Sequence, residues 1–228
     1  MLKQSTENEK RSIRRVLVLT TSYPNSSDDW SGVFIHKLNV ALTARGYEIV
    51  VVAPSNGEYY GLNKFDGITV IRFAYFRPRK MERLCSGAGG IPENLNKTWL
   101  AKIQLITMTV VFFLESLRKS RNSDAIYANW LGAGLVGAFV GLFRRLPLIT
   151  SFRGDDGYLA KEKLIWRIVS KFVIGRSSAL APVSRQLSEI CKDLGAEPRK
   201  VFTPGFGVDT GMFCPVKKSH SESGPVRI

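Results

Sequence analysis

Arg14-Arg15-Val16-Leu17-Val18-Leu19-Thr20 is a brief, unbroken apolar run whose valines are β-branched. Such a run suits a strand covered on both faces, as in a parallel sheet. A polar stretch follows, Thr21-Ser22-Tyr23-Pro24-Asn25-Ser26-Ser27-Asp28-Asp29-Trp30-Ser31-Gly32. Beyond it Phe34, Leu38, Ala41 and Leu42 recur with helical spacing, and Gly46 is placed to stop the helix. Tyr47 to Ala53 repeats the strand pattern and closes on Pro54. This is one strand–helix–strand unit, whose crossover is right-handed in nearly all proteins.

The pattern continues downstream. Strands are expected at 68–73, 125–128, 148–152, 178–183 and 201–203. Helices are expected at 98–119, 132–145, 158–174 and 185–194, the last capped by Ser184 and ended by Gly195. Residues 75–97 read as a basic, glycine-rich loop with little reason to be rigid. Alternation of strands and helices implies an open, mostly parallel α/β sheet with helices on both faces. The expected organisation is a polar segment over 1–13, one domain over 14–216, and a linker with the start of a further domain over 217–228, where Pro225-Val226-Arg227-Ile228 reads as a new strand.

Composition narrows the chemistry. The chain has 228 residues, 44% of them hydrophobic, which excludes wholesale disorder. Cys85, Cys191 and Cys214 form no CxxC pair, and His36 and His220 no ligand-spaced pair. A disulfide framework and a His-rich metal site are therefore not expected. The N-terminus lacks the apolar core of a signal peptide. The most apolar stretch, Trp99 to Leu117, carries Lys102, Gln104, Thr107, Thr109 and Glu115, so it reads as a buried or surface-lying helix rather than a span.

Ligands of open α/β sheets sit beyond the carboxyl ends of the strands, and three loops there hold suitable residues. The first ends in Ser31-Gly32 without a GxGxxG or GxxxxGK[ST]. Its glycine and the following helical N–H groups could receive an anion, or the glycine could serve turn geometry alone. The second is Asn129-Trp130, an amide and a flat apolar ring suited to a sugar; equally, a turn residue and a core residue. The third is Arg153-Gly154-Asp155-Asp156-Gly157. Arg153 offers a planar cationic fork for phosphate, and the aspartates could orient hydroxyls; the alternative is a capped turn with Asp156 as N-cap.

Tyr23-Pro24, Ser31-Gly32-Val33-Phe34 and Arg45-Gly46-Tyr47 through Pro54, taken together, resemble the opening of family 4 glycosyltransferases of the GT-B fold. So do Asp124 to Trp130, Pro147 to Asp155, Val183-Ser184, and the close at Val208-Asp209, Phe213 and Pro215. The resemblance covers most of residues 14–228. It implies two Rossmann-like domains across a cleft, of which this chain matches the N-terminal, acceptor-binding one. It implies transfer of a hexosyl-type sugar from a nucleotide-sugar with retention, with no cofactor and no bound metal, and no activity from this half alone. By resemblance Ser31 and Gly32 approach the donor diphosphate. Asn129, Arg153 and Asp155 lie at the reacting centre, and Tyr23, Trp130 and Asp156 contact substrate. Many members carry histidine where this chain has Asn129 and Arg153, so Arg153 and Asp155 are read as binding and orienting groups rather than as a general base.

The net charge is +14. No nucleic-acid motif is present, so nucleic acid is not an expected partner. Basic clusters at 77–83, 118–121, 144–145 and 161–171 instead suit an anionic membrane surface, or simply a solvated one. The expected function is sugar transfer to a polysaccharide, lipid-linked or other carbohydrate acceptor at the cytosolic membrane face. The alternative is a non-catalytic recruiting subunit working with a separate donor-binding chain.

Overall fold

A computed structural model of the chain describes residues 14–26, 29–57, 59–87, 90–205, 207 and 210, apart from the side chains of Asp155 and Asp156. The expected segments 1–13 and 217–228 lie outside these residues, as do Val208-Asp209, Phe213 and Pro215. Seven strands form one sheet: β1 (Arg15–Leu19), β2 (Glu48–Pro54), β3 (Gly61–Phe65), β4 (Ile68–Phe73), β5 (Ala125–Asn129), β6 (Leu148–Ser151) and β7 (Ala179–Leu180). Their order is β3-β4-β2-β1-β5-β6-β7, and every pairing is parallel except β3 with β4. Without β3, this is the third-second-first-fourth-fifth-sixth order of a Rossmann sheet, with its switch point between β1 and β5.

The helices are α1 (Val33–Thr43), α2 (Gly90–Lys97), α3 (Trp99–Lys119), α4 (Leu131–Arg144), α5 (Asp155–Glu162), α6 (Leu164–Arg176) and α7 (Arg185–Asp193). The two-residue period of β1 divides the core. Leu17 and Leu19 join Met108 and Phe112 of α3 and Val136 and Val140 of α4 on one face. Val16 and Val18 join Ile35 of α1 and Tyr23 on the other. A third cluster, from Phe152 and Leu180 to Val173, Leu187 and Ile190, binds α6 and α7 to the β7 edge. The small residues of α4 let it lie close on the sheet. A Cβ at Gly137 would sit 2.8 Å from Leu148 Cδ1, and one at Gly134 2.9 Å from Thr150 Cγ2.

Several expectations are corrected. β3 escaped the sequence reading because it is an edge strand exposed along almost its whole length. Its signal was the turn Asp66-Gly67, both residues at positive φ, the commonest composition of a tight hairpin. Of the loop expected over 75–97, residues 75–87 are tied down rather than loose and Gly90–Lys97 is the helix α2. Glu82 accepts from the Tyr75 and Phe76 amides at 2.7 and 2.9 Å, Gln104 of α3 accepts from the Arg83 and Leu84 amides, and Leu84 is fully buried. The single helix expected over 158–174 is two, broken at an extended Lys163, with Arg167 reaching back to the Ala160 and Lys161 carbonyls. The cap of α5 is Gly154, not Asp156, because the chain turns there at φ 81°. Only Ala179–Leu180 of 178–183 is strand, and 201–203 contributes one bridge, Leu180 to Val201.

Candidate active site at the sheet rim

The segment after β1 is built from both sides. Arg72, at the end of β4 and only 5% exposed, donates to the Tyr23 and Pro24 carbonyls at 2.7 and 3.0 Å. Burial lowers its pKa, partly offset by the charge of Asp29. Asp29 accepts from the Asn25 amide and side chain at 2.9 and 2.8 Å and from the Ser31 amide at 2.9 Å. Desolvation raises this carboxyl, but those hydrogen bonds outweigh it and hold its pKa below the ordinary value. The loop is thereby closed onto α1, whose N-cap is Gly32 at φ 72°. A Cβ there would lie 2.5 Å from the Ser22 carbonyl oxygen. The glycine thus serves a backbone approach within the loop itself.

Tyr23, expected to touch substrate, is 2% exposed and belongs to the core. Its hydroxyl lies 2.9 Å from His36 Nδ1 and accepts from Asn39 Nδ2 at 3.3 Å, while His36 Nε2 lies 2.9 Å from Asp66 of the β3–β4 turn. Desolvation, the largest influence, pushes the phenol up to about 12. This residue fixes the loop from beneath.

The other half of the rim follows β5 and β6, which end side by side with Asn129 paired to Ser151. Arg153 Nε donates to Asn129 Oδ1 at 3.0 Å, and its Nη2 donates to the Tyr127 hydroxyl at 3.3 Å. Its guanidinium lies 4.5 Å from the centre of the Phe34 ring, on the first turn of α1. Phe34 in turn meets Trp130 edge-on at 6.0 Å. With Oδ1 engaged, the amide orientation of Asn129 is fixed. Its Nδ2 is buried without a hydrogen-bond partner among the described residues. Trp130 holds φ 69°, ψ 157°, unusual for a bulky residue. Its amide donates to the Ser151 carbonyl and its carbonyl caps Gly134 of α4, which over-determines that geometry.

Gly32, Asn129 and Arg153 are thus brought to one place through Phe34, and Ser31 lies exposed beside them. Trp130 stands half-buried at the same rim, and Asp155 and Asp156 open α5 directly after Gly154. Phe34, Tyr127, Asp29 and Arg72 were not anticipated. Tyr127 had a signal, since two residues before Asn129 on a strand means the same face. Asp29 acts within its own loop, on Asn25 and Ser31, whereas Phe34 and Arg72 depend on contacts far apart in sequence. Hollows of about 380 Å³ between α5, α6 and α7 and about 260 Å³ beside Met81 and Gln104 are lined by other residues.

The family described as glycosyl transferase 4-like domain matches residues 31–205. The fold matches sucrose-phosphate synthase from Thermosynechococcus elongatus with a TM-score of 0.64 at 13% identity, covering 89% of this chain and 50% of that one. It matches Anabaena HepE in complex with UDP and glucose with a TM-score of 0.55 at 15% identity, covering 87% and 46%. It matches Arabidopsis thaliana UGT89C1 complexed with UDP-L-rhamnose with a TM-score of 0.56 at 14% identity, covering 85% and 49%. The chain spans about half the length of these proteins. No curated protein sequence matches it. The strand order, the rim at the switch point and the span of the family match agree, and the chain belongs to the glycosyl transferase 4-like domain family.

Proposed function

We propose that the chain is the acceptor-side half of a retaining, nucleotide-sugar-dependent glycosyltransferase of hexosyl type. It serves polysaccharide or glycolipid synthesis at the cytosolic membrane face. The observation that carries this reading is the Arg153–Asn129 pair, held against Phe34 beyond the carboxyl ends of β5 and β6 at the switch point. Support also comes from HepE and UGT89C1, both solved with UDP or a UDP-sugar.

In this reading the bond from the sugar's anomeric carbon to the nucleotide diphosphate breaks, and a bond to the acceptor oxygen forms with loss of the acceptor proton. Arg153 supplies fixed positive charge near the departing diphosphate, and Asn129 Nδ2 is the donor left for a sugar or acceptor oxygen. Trp130 offers its ring to the sugar. Ser31 and Gly32 lie on the diphosphate side, and Asp155 and Asp156 orient hydroxyls. No general base is assigned to this half, and the reaction is taken to need no metal. The donor site belongs to a second domain, so the 228-residue chain alone is expected not to turn over.

The test pairs the full-length protein with a panel of nucleotide-sugars and membrane extract, reading nucleotide diphosphate release. Release that depends on one donor, and falls about a hundredfold in Arg153→Ala with the fold kept, supports the reading. Turnover by the 228-residue chain alone would overturn the half-site assignment. Acceptor binding with no release by any form would favour a recruiting subunit.

A further inference from the structure

Helices α3, α4 and α6 pack side by side over the face of the sheet opposite α1. Their outward surface is unusual for a soluble domain. On α3, Trp99, Ile103, Ile106, Val110 and Leu114 recur at helical spacing and are all exposed, Trp99 at 73% and Ile106 at 66%. Phe139, Leu142 and Phe143 extend the surface on α4, with Phe143 67% exposed. Leu164, Ile165 and Ile168 extend it on α6. Ring contacts join the three helices: Phe113 of α3 with Phe143 at 5.7 Å, and Phe139 of α4 with Phe172 of α6 at 5.3 Å. A continuous apolar surface of this extent marks an interaction face.

Its frame is basic. From residue 97 to 176 there are thirteen Lys and Arg against five Asp and Glu. Lys102 lies one turn from Ile106, and Lys171 falls beside Ile168. Arg118, paired with Glu115, lies in the last turn of α3 and Arg121 just beyond it; Arg144 and Arg145 end α4, and Arg144 donates to the Leu117 carbonyl, drawing those ends together. A second copy docking here would set this frame against its own like charge. An anionic lipid surface complements it, with long cationic side chains reaching headgroups while Ile, Leu and Phe enter the acyl boundary.

We propose that the α3–α4–α6 face lies in the surface of an anionic membrane. The face lies along the bilayer rather than across it. The stretch Trp99–Asn122 is long and apolar enough to span, and only 28% of its most apolar window is buried. Yet its inner side, with Met108 and with Phe112 against Phe73 at 5.1 Å, is part of the sheet's core and cannot leave it. Trp130 caps the N-terminus of α4, the helix whose outer side carries Phe139, Leu142 and Phe143, so the candidate active site and this face share one helix. The inference sharpens the membrane element of the proposed function and rests on it for where the acceptor is found. It requires none of the transfer chemistry.

The experiment floats the full-length protein with vesicles of phosphatidylcholine, with and without phosphatidylglycerol, and compares Ile106→Asp, Phe143→Asp and Lys102→Glu. Binding that needs the anionic lipid is expected. It should fall about tenfold or more in each Asp variant and about thirtyfold in Lys102→Glu, which reverses a charge, with melting temperatures nearly unchanged because these side chains are exposed. Equal binding of Ile106→Asp and the parent would overturn the proposal. So would absence of binding, or self-association that Ile106→Asp abolishes. Nucleotide diphosphate release to a water-soluble acceptor is read in parallel. If release is absent while vesicle binding behaves as expected, the transfer reading fails and the membrane face stands.

Discussion

Arg72, at the end of β4, and Arg153, just past β6, stand at the same carboxyl edge of the sheet and meet different partners. Arg72 is buried and spends Nη2 on two backbone carbonyls, those of Tyr23 and Pro24. Arg153 is half-buried and meets the side chains of Asn129 and Tyr127 and the Phe34 ring. A cation that satisfies buried backbone carbonyls is part of the chain's own construction. A cation held against Asn129, whose buried Nδ2 has no hydrogen-bond partner among the described residues, is placed to act on something further. The difference separates building residues from candidate working residues at one rim.

Substitutions can break or sharpen this division. Arg72→Met should have the largest effect on folding. It strands two buried carbonyls and should lower stability by about 3 kcal/mol, read as a clear fall in denaturant midpoint without change of slope. Arg153→Lys should leave that midpoint nearly unmoved while nucleotide diphosphate release drops by about thirtyfold, because charge without the planar fork cannot keep both bonds. Should the two variants exchange these signatures, the division is wrong. Gly32→Ala should lower stability by about 2 kcal/mol, from positive φ and the Ser22 carbonyl, and thermal melting would measure it. The smallest effect concerns Asp29, whose carboxyl is held below its ordinary pKa. A depressed carboxyl stabilises the fold above the unfolded value of about 4 and loses that contribution as pH falls through the lower folded value. Asp29→Asn should flatten the acid limb of the stability profile. An unchanged limb would assign the loop's order to Arg72 alone.

The reading from sequence succeeded where one segment carries its own signal. The runs around Val16–Leu19 and Ile49–Ala53, the cap at Ser184, whose Oγ accepts from the Leu187 amide, and the long helix from Trp99 all fall where periodicity put them. It failed where the deciding partner is distant. The segment 75–87 is composed like a loose loop, yet Gln104 of α3, twenty residues beyond Leu84, helps to hold it, which composition does not reveal. Tyr23 stood in a loop at the right edge and so looked available. Only the packing of α1 and the Asp66 turn shows its hydroxyl already engaged.

By itself the sequence determined the alternation of strands and helices, the parallel sheet and the edge at which a site belongs, because hydrophobic period and turn chemistry act within a few residues. Tertiary structure alone decided which polar groups at that edge are consumed by the fold and which are left to act, and that the outer side of α3 is bare while its inner side is core. Those outcomes depend on contacts between residues tens of positions apart, and no local pattern encodes which of two apolar faces finds a partner.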